Sequence, residues 1–117
     1  MQYGLIGEKL GHSYSKEIHT AFGKYEYELK ELAKDSVDSF MKGKKFKGLN
    51  VTIPYKEVVM QYLDFIDEQA KEIGAVNTVV NKDGKLYGYN TDFYGMLEVL
   101  KDTGFNFEGK KILILGV

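Results

Sequence analysis

Cysteine is absent from this chain and so is arginine, every one of its 16 basic residues being lysine. Without cysteine there is no disulfide, no thiolate metal site and no cysteine nucleophile. Without arginine no guanidinium fork can clamp a carboxylate or phosphate through two parallel hydrogen bonds, so an anionic ligand has to be met by hydroxyls, amides and lysine. His12 and His19 are the only imidazoles, which argues against zinc, and no metal is expected. An excess of charge is also missing: the formal net charge is −1 and the lysines are spread along the chain. That reads against a nucleic-acid partner and toward a small molecule. No apolar run approaches the roughly 20 residues that a membrane span needs. Met1 leads almost directly into a strand-like segment with no charged-then-apolar leader, so a soluble cytoplasmic protein with no membrane partner is expected. Heptads, internal repeats, low-complexity tracts and long linkers are lacking as well, which leaves a scaffold role unsupported.

What remains is a 117-residue chain with 44% hydrophobic content, enough for one domain with its own core. Tyr3 to Gly7 is a short apolar run closed by glycine, and after a polar loop Ile18, Ala21, Phe22 and Tyr25 recur at helical spacing. Tyr25 to Leu32 reads as a second strand, and Val37, Phe40 and Met41 mark a short helix beginning near Asp35 or Ser36. Lys47 to Thr52 is a third strand stopped by Pro54, followed by one or two helices up to Gly74. Ala75 to Asn81 and Lys85 to Asn90 flank Asp83-Gly84, the dipeptide a tight primed hairpin turn prefers. Thr91 is placed to cap a last helix, with Asp92 in its first turn and Phe93, Met96, Leu97 and Leu100 on one face. Lys110 to Leu115 is a continuous β-prone run of the kind a doubly buried strand displays. The order predicts an α/β fold, a three-layer sandwich with a mainly parallel sheet plus an antiparallel hairpin.

Four polar clusters fall where strands end or helices begin, the place where open α/β sheets hold ligands. Ser13 and Ser15 precede a helix whose first amides are free; the pair either grips a carboxylate or caps the helix. Lys56 follows the strand and turn NVTIPY, where it either donates to an oxygen that is gaining negative charge or is a solvated surface lysine. Asn77 enters an otherwise apolar strand start and offers its amide to a hydroxylated ligand or to nearby backbone. Asp92 sits where a helix dipole favours a carboxylate; it either accepts from ligand hydroxyls and pairs with Lys56, or only stabilises the helix.

The run NVTIPYK, then IGAVNTV, then GYNTDFYG, together with the serine pair after Gly7, resembles the signature series of the shikimate dehydrogenases, and the resemblance covers essentially the whole chain. It departs from the family's common pattern at Lys9 and Lys16, where proline is usual, and at Thr20, where asparagine is. The resemblance implies that Ser13 and Ser15 hold a ring carboxylate, that Thr52, Asn77 and Asp92 hold ring hydroxyls, and that Lys56 is the catalytic residue paired with Asp92. It also implies that Glu68 approaches the cofactor. The activity implied is reversible reduction of 3-dehydroshikimate to shikimate with NADPH, a step in aromatic amino-acid biosynthesis. A lysine ammonium, charged at neutral pH, suits an oxygen that must take up a proton.

On this resemblance residues 1–104 are the substrate-binding domain, and 105–117 are the linker and first strand of a dinucleotide-binding domain that the chain does not complete. The glycine-rich turn and helix N-terminus that cradle a pyrophosphate are not present after Gly116, so the chain by itself is expected to bind NADP poorly and not to turn over. The exposed run 110–115 is expected to pair with this domain or with a second copy, giving a homodimer. Two alternatives stay open: a quinate- or aminoshikimate-type dehydrogenase, and a non-catalytic module that binds a hydroxylated acid.

Overall fold

A computed structural model describes residues 1–116. Its elements, in chain order, are β1 (Tyr3–Gly7), α1 (Ser15–Phe22), β2 (Tyr27–Glu31), α2 (Val37–Gly43), β3 (Gly48–Val51), β4 (Phe65–Ile66), α3 (Glu68–Ile73), β5 (Thr78–Lys82), β6 (Lys85–Tyr89) and α4 (Thr91–Asp102). Single 3₁₀ turns occupy Lys34–Ser36 and Val58–Tyr62. The six strands form one sheet in the order β2-β1-β3-β5-β6-β4. β1 runs parallel to β2 and β3, and β4 parallel to β6, while the β3–β5 and β5–β6 pairs are antiparallel.

Alternation along each strand decides which side of the sheet each residue serves. Ile6, Leu49, Val51, Val79 and Leu86 face one side, where they pack with Val37 and Met41 of α2, Val59 of the second 3₁₀ turn and Ala70 of α3. Leu5 faces the other side with Leu10 and Tyr27, and α1 lies there against β2. Helices on both faces of one sheet make the expected three layers. The second face is thinner: α1 has no buried residue, and an apolar groove of about 440 Å³ bordered by His19, Tyr27 and Leu49 stays open beside it.

The hairpin falls where Asp83-Gly84 predicts it, with φ of 53° and 84° at the two central residues, as a primed turn requires. Two expectations change. The stretch read as one or two helices before Gly74 contains strand β4, two residues long and paired with Tyr87 and Gly88. The run Lys110–Leu115 forms no strand: it pairs with none of the six, and Leu113 and Leu115 are 81% and 87% exposed. β propensity becomes a strand only when a neighbour supplies the ladder, and this segment does not reach the free edge of β2 or of β4. No helix among the described residues is long and apolar enough to cross a membrane.

Candidate functional site

The carboxyl ends of β1 and β3 open onto a cleft of about 560 Å³. Six of the seven residues singled out in the sequence line it: Ser13, Ser15, Thr52, Lys56, Asn77 and Asp92. Their backbones are tied to one another through the sheet. Thr52 N donates to Ile6 O at 3.0 Å, Val51 N to Asn77 O at 2.8 Å, Val76 N to Lys56 O at 2.8 Å and Asn77 N to Tyr89 O at 3.0 Å. The two serines ride on the loop between β1 and α1, which is anchored where Leu10 N donates to Glu31 Oε1 at 2.8 Å. Such cross-links let side chains from distant parts of the sequence converge with little freedom.

Lys56 and Asp92 form an ion pair at 2.8 Å, their side chains 32% and 63% exposed. Lys56 is aimed by the turn after β3, in which the Ile53–Pro54 bond is cis. Asp92 is aimed by α4, which starts one residue earlier than the sequence suggested. The cap is Asn90, buried, whose Oδ1 accepts from Phe93 N at 3.3 Å while its Nδ2 donates to Ala75 O at 3.0 Å. Thr91 is thereby released from capping, and its hydroxyl turns to Asn77, whose Nδ2 donates to it at 2.9 Å. Asn77 Oδ1 accepts from Thr91 N at 2.9 Å and from Thr78 Oγ1 at 3.0 Å. For the serines, Ser13 Oγ accepts from Ser15 N at 3.2 Å, the local bond of the capping alternative, while α1 has no side-chain cap at Tyr14.

Glu68 is the residue that does not join the others. It lies on α3 outside the cleft lining, its side chain 86% exposed, and meets Lys71 at 3.2 Å. Thr91 and Lys9, in contrast, line the cleft and were not singled out as site residues. The signal for Thr91 was its place between Asn90 and Asp92, hidden because a threonine before an acidic helix turn reads first as a cap. Lys9 adds a second cation on the serine side. Among the described residues there is no group of three or more histidine or acidic side chains that could hold a metal ion. The cleft therefore offers a hydroxyl pair and lysines for an acid, amide and carboxylate for hydroxyls, and a paired ammonium for an oxygen.

Residues 5–79 match the family model described as the shikimate dehydrogenase substrate binding domain. The chain belongs to that family. Among curated relatives, a shikimate dehydrogenase (NADP(+)) from Clostridium perfringens is 50% identical across 97% of this chain and 45% of its own length. The chain spans less than half the length of the curated relatives it matches. Among solved structures, shikimate dehydrogenase 1 from Peptoclostridium difficile superposes with a TM-score of 0.84 at 41% identity, over 93% of this chain and 44% of that one. Shikimate 5-dehydrogenase from Thermus thermophilus, in complex with shikimate, gives a TM-score of 0.82 at 32% identity over 94% and 45%; another structure of that enzyme holds NADP(H) as well. Family members thus carry this fold as one part of a longer chain.

Proposed function

We propose that the cleft is the shikimate site of an NADP-dependent shikimate dehydrogenase, and that this chain supplies the substrate-binding part. The observation that carries the reading is the 2.8 Å pair of Lys56 with Asp92 in one cleft with Ser13, Ser15, Thr52 and Asn77. The serine hydroxyls and Lys9 receive the ring carboxylate, the role that an arginine-free chain leaves to such groups. Thr52, Asn77 and Asp92 receive ring hydroxyls. In 3-dehydroshikimate reduction NADPH supplies a hydride to the ketone carbon. The part of Lys56 is to donate to the ketone oxygen as negative charge builds there, held in place by Asp92.

The described residues do not fit a dinucleotide: no glycine-rich turn meets a helix N-terminus here, and Glu68 stands exposed and paired with Lys71. Residues 1–104 are therefore read as the substrate domain and 105–117 as the link and first strand of an NADP domain, with cofactor contacts outside the described residues. The exposed run 110–115 supports pairing with a further strand, either of that domain or of a second copy; sedimentation at rising concentration tests the dimer. A cytoplasmic location goes with a biosynthetic role.

Titrating shikimate into the isotope-labelled chain tests the reading. Saturable shifts at Lys56, Asn77 and the Ser13–Ser15 loop are expected, with quinate weaker. No saturable response, or one confined to other surfaces, would overturn it.

A further inference from the structure

Asn77 is also held by a chain of side chains that starts in the groove beside the cleft and passes through Asn50, which the two share. On the second face of the sheet Tyr27 Oη donates to Asn50 Oδ1 at 2.7 Å, Asn50 Nδ2 donates to Thr78 Oγ1 at 3.4 Å, and Thr78 Oγ1 donates to Asn77 Oδ1 at 3.0 Å. We propose that Tyr27, Asn50 and Thr78 are positioning residues that turn the Asn77 amide donor-outward to the cleft; this rests on the reading of that cleft as a site for a hydroxylated acid.

The polarity of the chain follows from the inventory of donors. A phenol hydroxyl has one proton, and here it goes to Asn50 Oδ1, which leaves Asn50 its amide protons for the next link. Thr78 also has a single hydroxyl proton. Having accepted from Asn50, it spends that proton on Asn77. Thr91 N fills the other lone pair of Asn77 Oδ1 at 2.9 Å. Thr91 Oγ1 lies 2.9 Å from Nδ2 and 3.2 Å from Oδ1, and the shorter contact takes one amide proton. One proton of Nδ2 is left, and it is the only hydrogen-bonding capacity Asn77 keeps for a ligand.

The starting point of the relay is fixed. The Tyr27 ring is buried and stacks on His19 at 3.9 Å between centroids. Burial, with the neighbouring Tyr25 adding to it, pushes the Tyr27 hydroxyl up to about 12, so it stays a protonated donor at any working pH. Asn50 and Thr78 face each other in register across β3 and β5, and Asn50 borders both the cleft and the groove behind it. A ligand group at Asn77 must accept, and a hydroxyl placed there must send its own proton elsewhere, with the Asp92 carboxylate as the acceptor at hand.

The test uses the labelled chain with Thr78→Val, which keeps the shape and deletes the hydroxyl, Thr78→Ser, which restores it, and Tyr27→Phe. Without ligand, the Asn77 side-chain amide resonances are expected to move in Thr78→Val and Tyr27→Phe and to stay in Thr78→Ser. Shikimate affinity is expected to fall roughly five- to tenfold in Thr78→Val, about one neutral hydrogen bond, and to return in Thr78→Ser. Binding of 1-cyclohexene-1-carboxylate, which has the ring acid and no hydroxyls, is expected to be unchanged. Equal weakening of both ligands, or an unmoved Asn77 amide, overturns the relay. If the parent chain ignores shikimate altogether, the cleft reading fails, and the ligand-free Asn77 resonances still decide whether the relay exists.

Discussion

Replacing Asp92 by asparagine keeps the shape of the side chain and removes its charge, which separates what the Lys56–Asp92 pair does for the fold from what it does for a ligand. Asp92 is 63% exposed and Lys56 32%, and ion pairs so open to water contribute less than about 1 kcal/mol. The carboxylate also sits in the first turn of α4, a position worth about 0.3–1 kcal/mol. The combined loss stays under about 2 kcal/mol, and since 1 kcal/mol moves the melting point of a domain this size by about 4–8 °C, Tm should fall by roughly 16 °C at most. Ligand binding should suffer more. Charge-assisted hydrogen bonds to substrate hydroxyls contribute about 1.5–3 kcal/mol, so shikimate affinity should drop roughly 10- to 150-fold. Thermal unfolding by circular dichroism and a heteronuclear titration measure the two on one sample. A Tm loss beyond about 20 °C with shikimate affinity unchanged would show a structural strut and refute the reasoning.

Gly88→Ala should destabilise the domain by about 1–3 kcal/mol, because a Cβ there overlaps Leu63 and crowds Val76; an unchanged urea midpoint would contradict the packing of β6. Gly84→Ala should cost about 1–2 kcal/mol, since the turn holds this residue at φ 84°, while ligand titrations remain as in the parent. Tyr27 carries a pH signature. Its folded value, about 12, lies above the ordinary 10, so its contribution is complete below pH 10 and is lost as pH rises toward about 12. Urea midpoints at pH 9, 10 and 11 should fall less steeply for Tyr27→Phe than for the parent, and parallel declines would show that the hydroxyl titrates alike folded and unfolded.

Local signals were readable in the sequence wherever a residue type has one dominant use. Asp83-Gly84 announces its hairpin because few other residues tolerate two successive positive φ values, strand β1 announces itself as a short apolar run closed by Gly7, and β3 as a run stopped by Pro54. The convergence of Lys56, Asn77 and Asp92 was legible only through the resemblance, since spacing cannot say which ends of the sheet meet. Strand β4 was not legible: two residues make no period, and Phe65–Ile66 is a strand only because β6 lies beside it. The cap of α4 was misplaced by one residue because Asn90 and Thr91 are both capable N-caps, and the choice is made by Ala75 and Asn77, which each claim one of them. The run 110–115 has the composition of a strand and no edge to join.

The cap at Asn90 also acts as a pivot. Asp92 stands about 3 Å along the helix axis from that anchor, and Asp102 about 18 Å, at 1.5 Å per residue. A swing of about 10° about the anchored end carries the far tip through about 3 Å and the carboxylate through only about 0.5 Å. Whatever pulls on the distal end of this rod, the charge pair beside the cleft scarcely feels it.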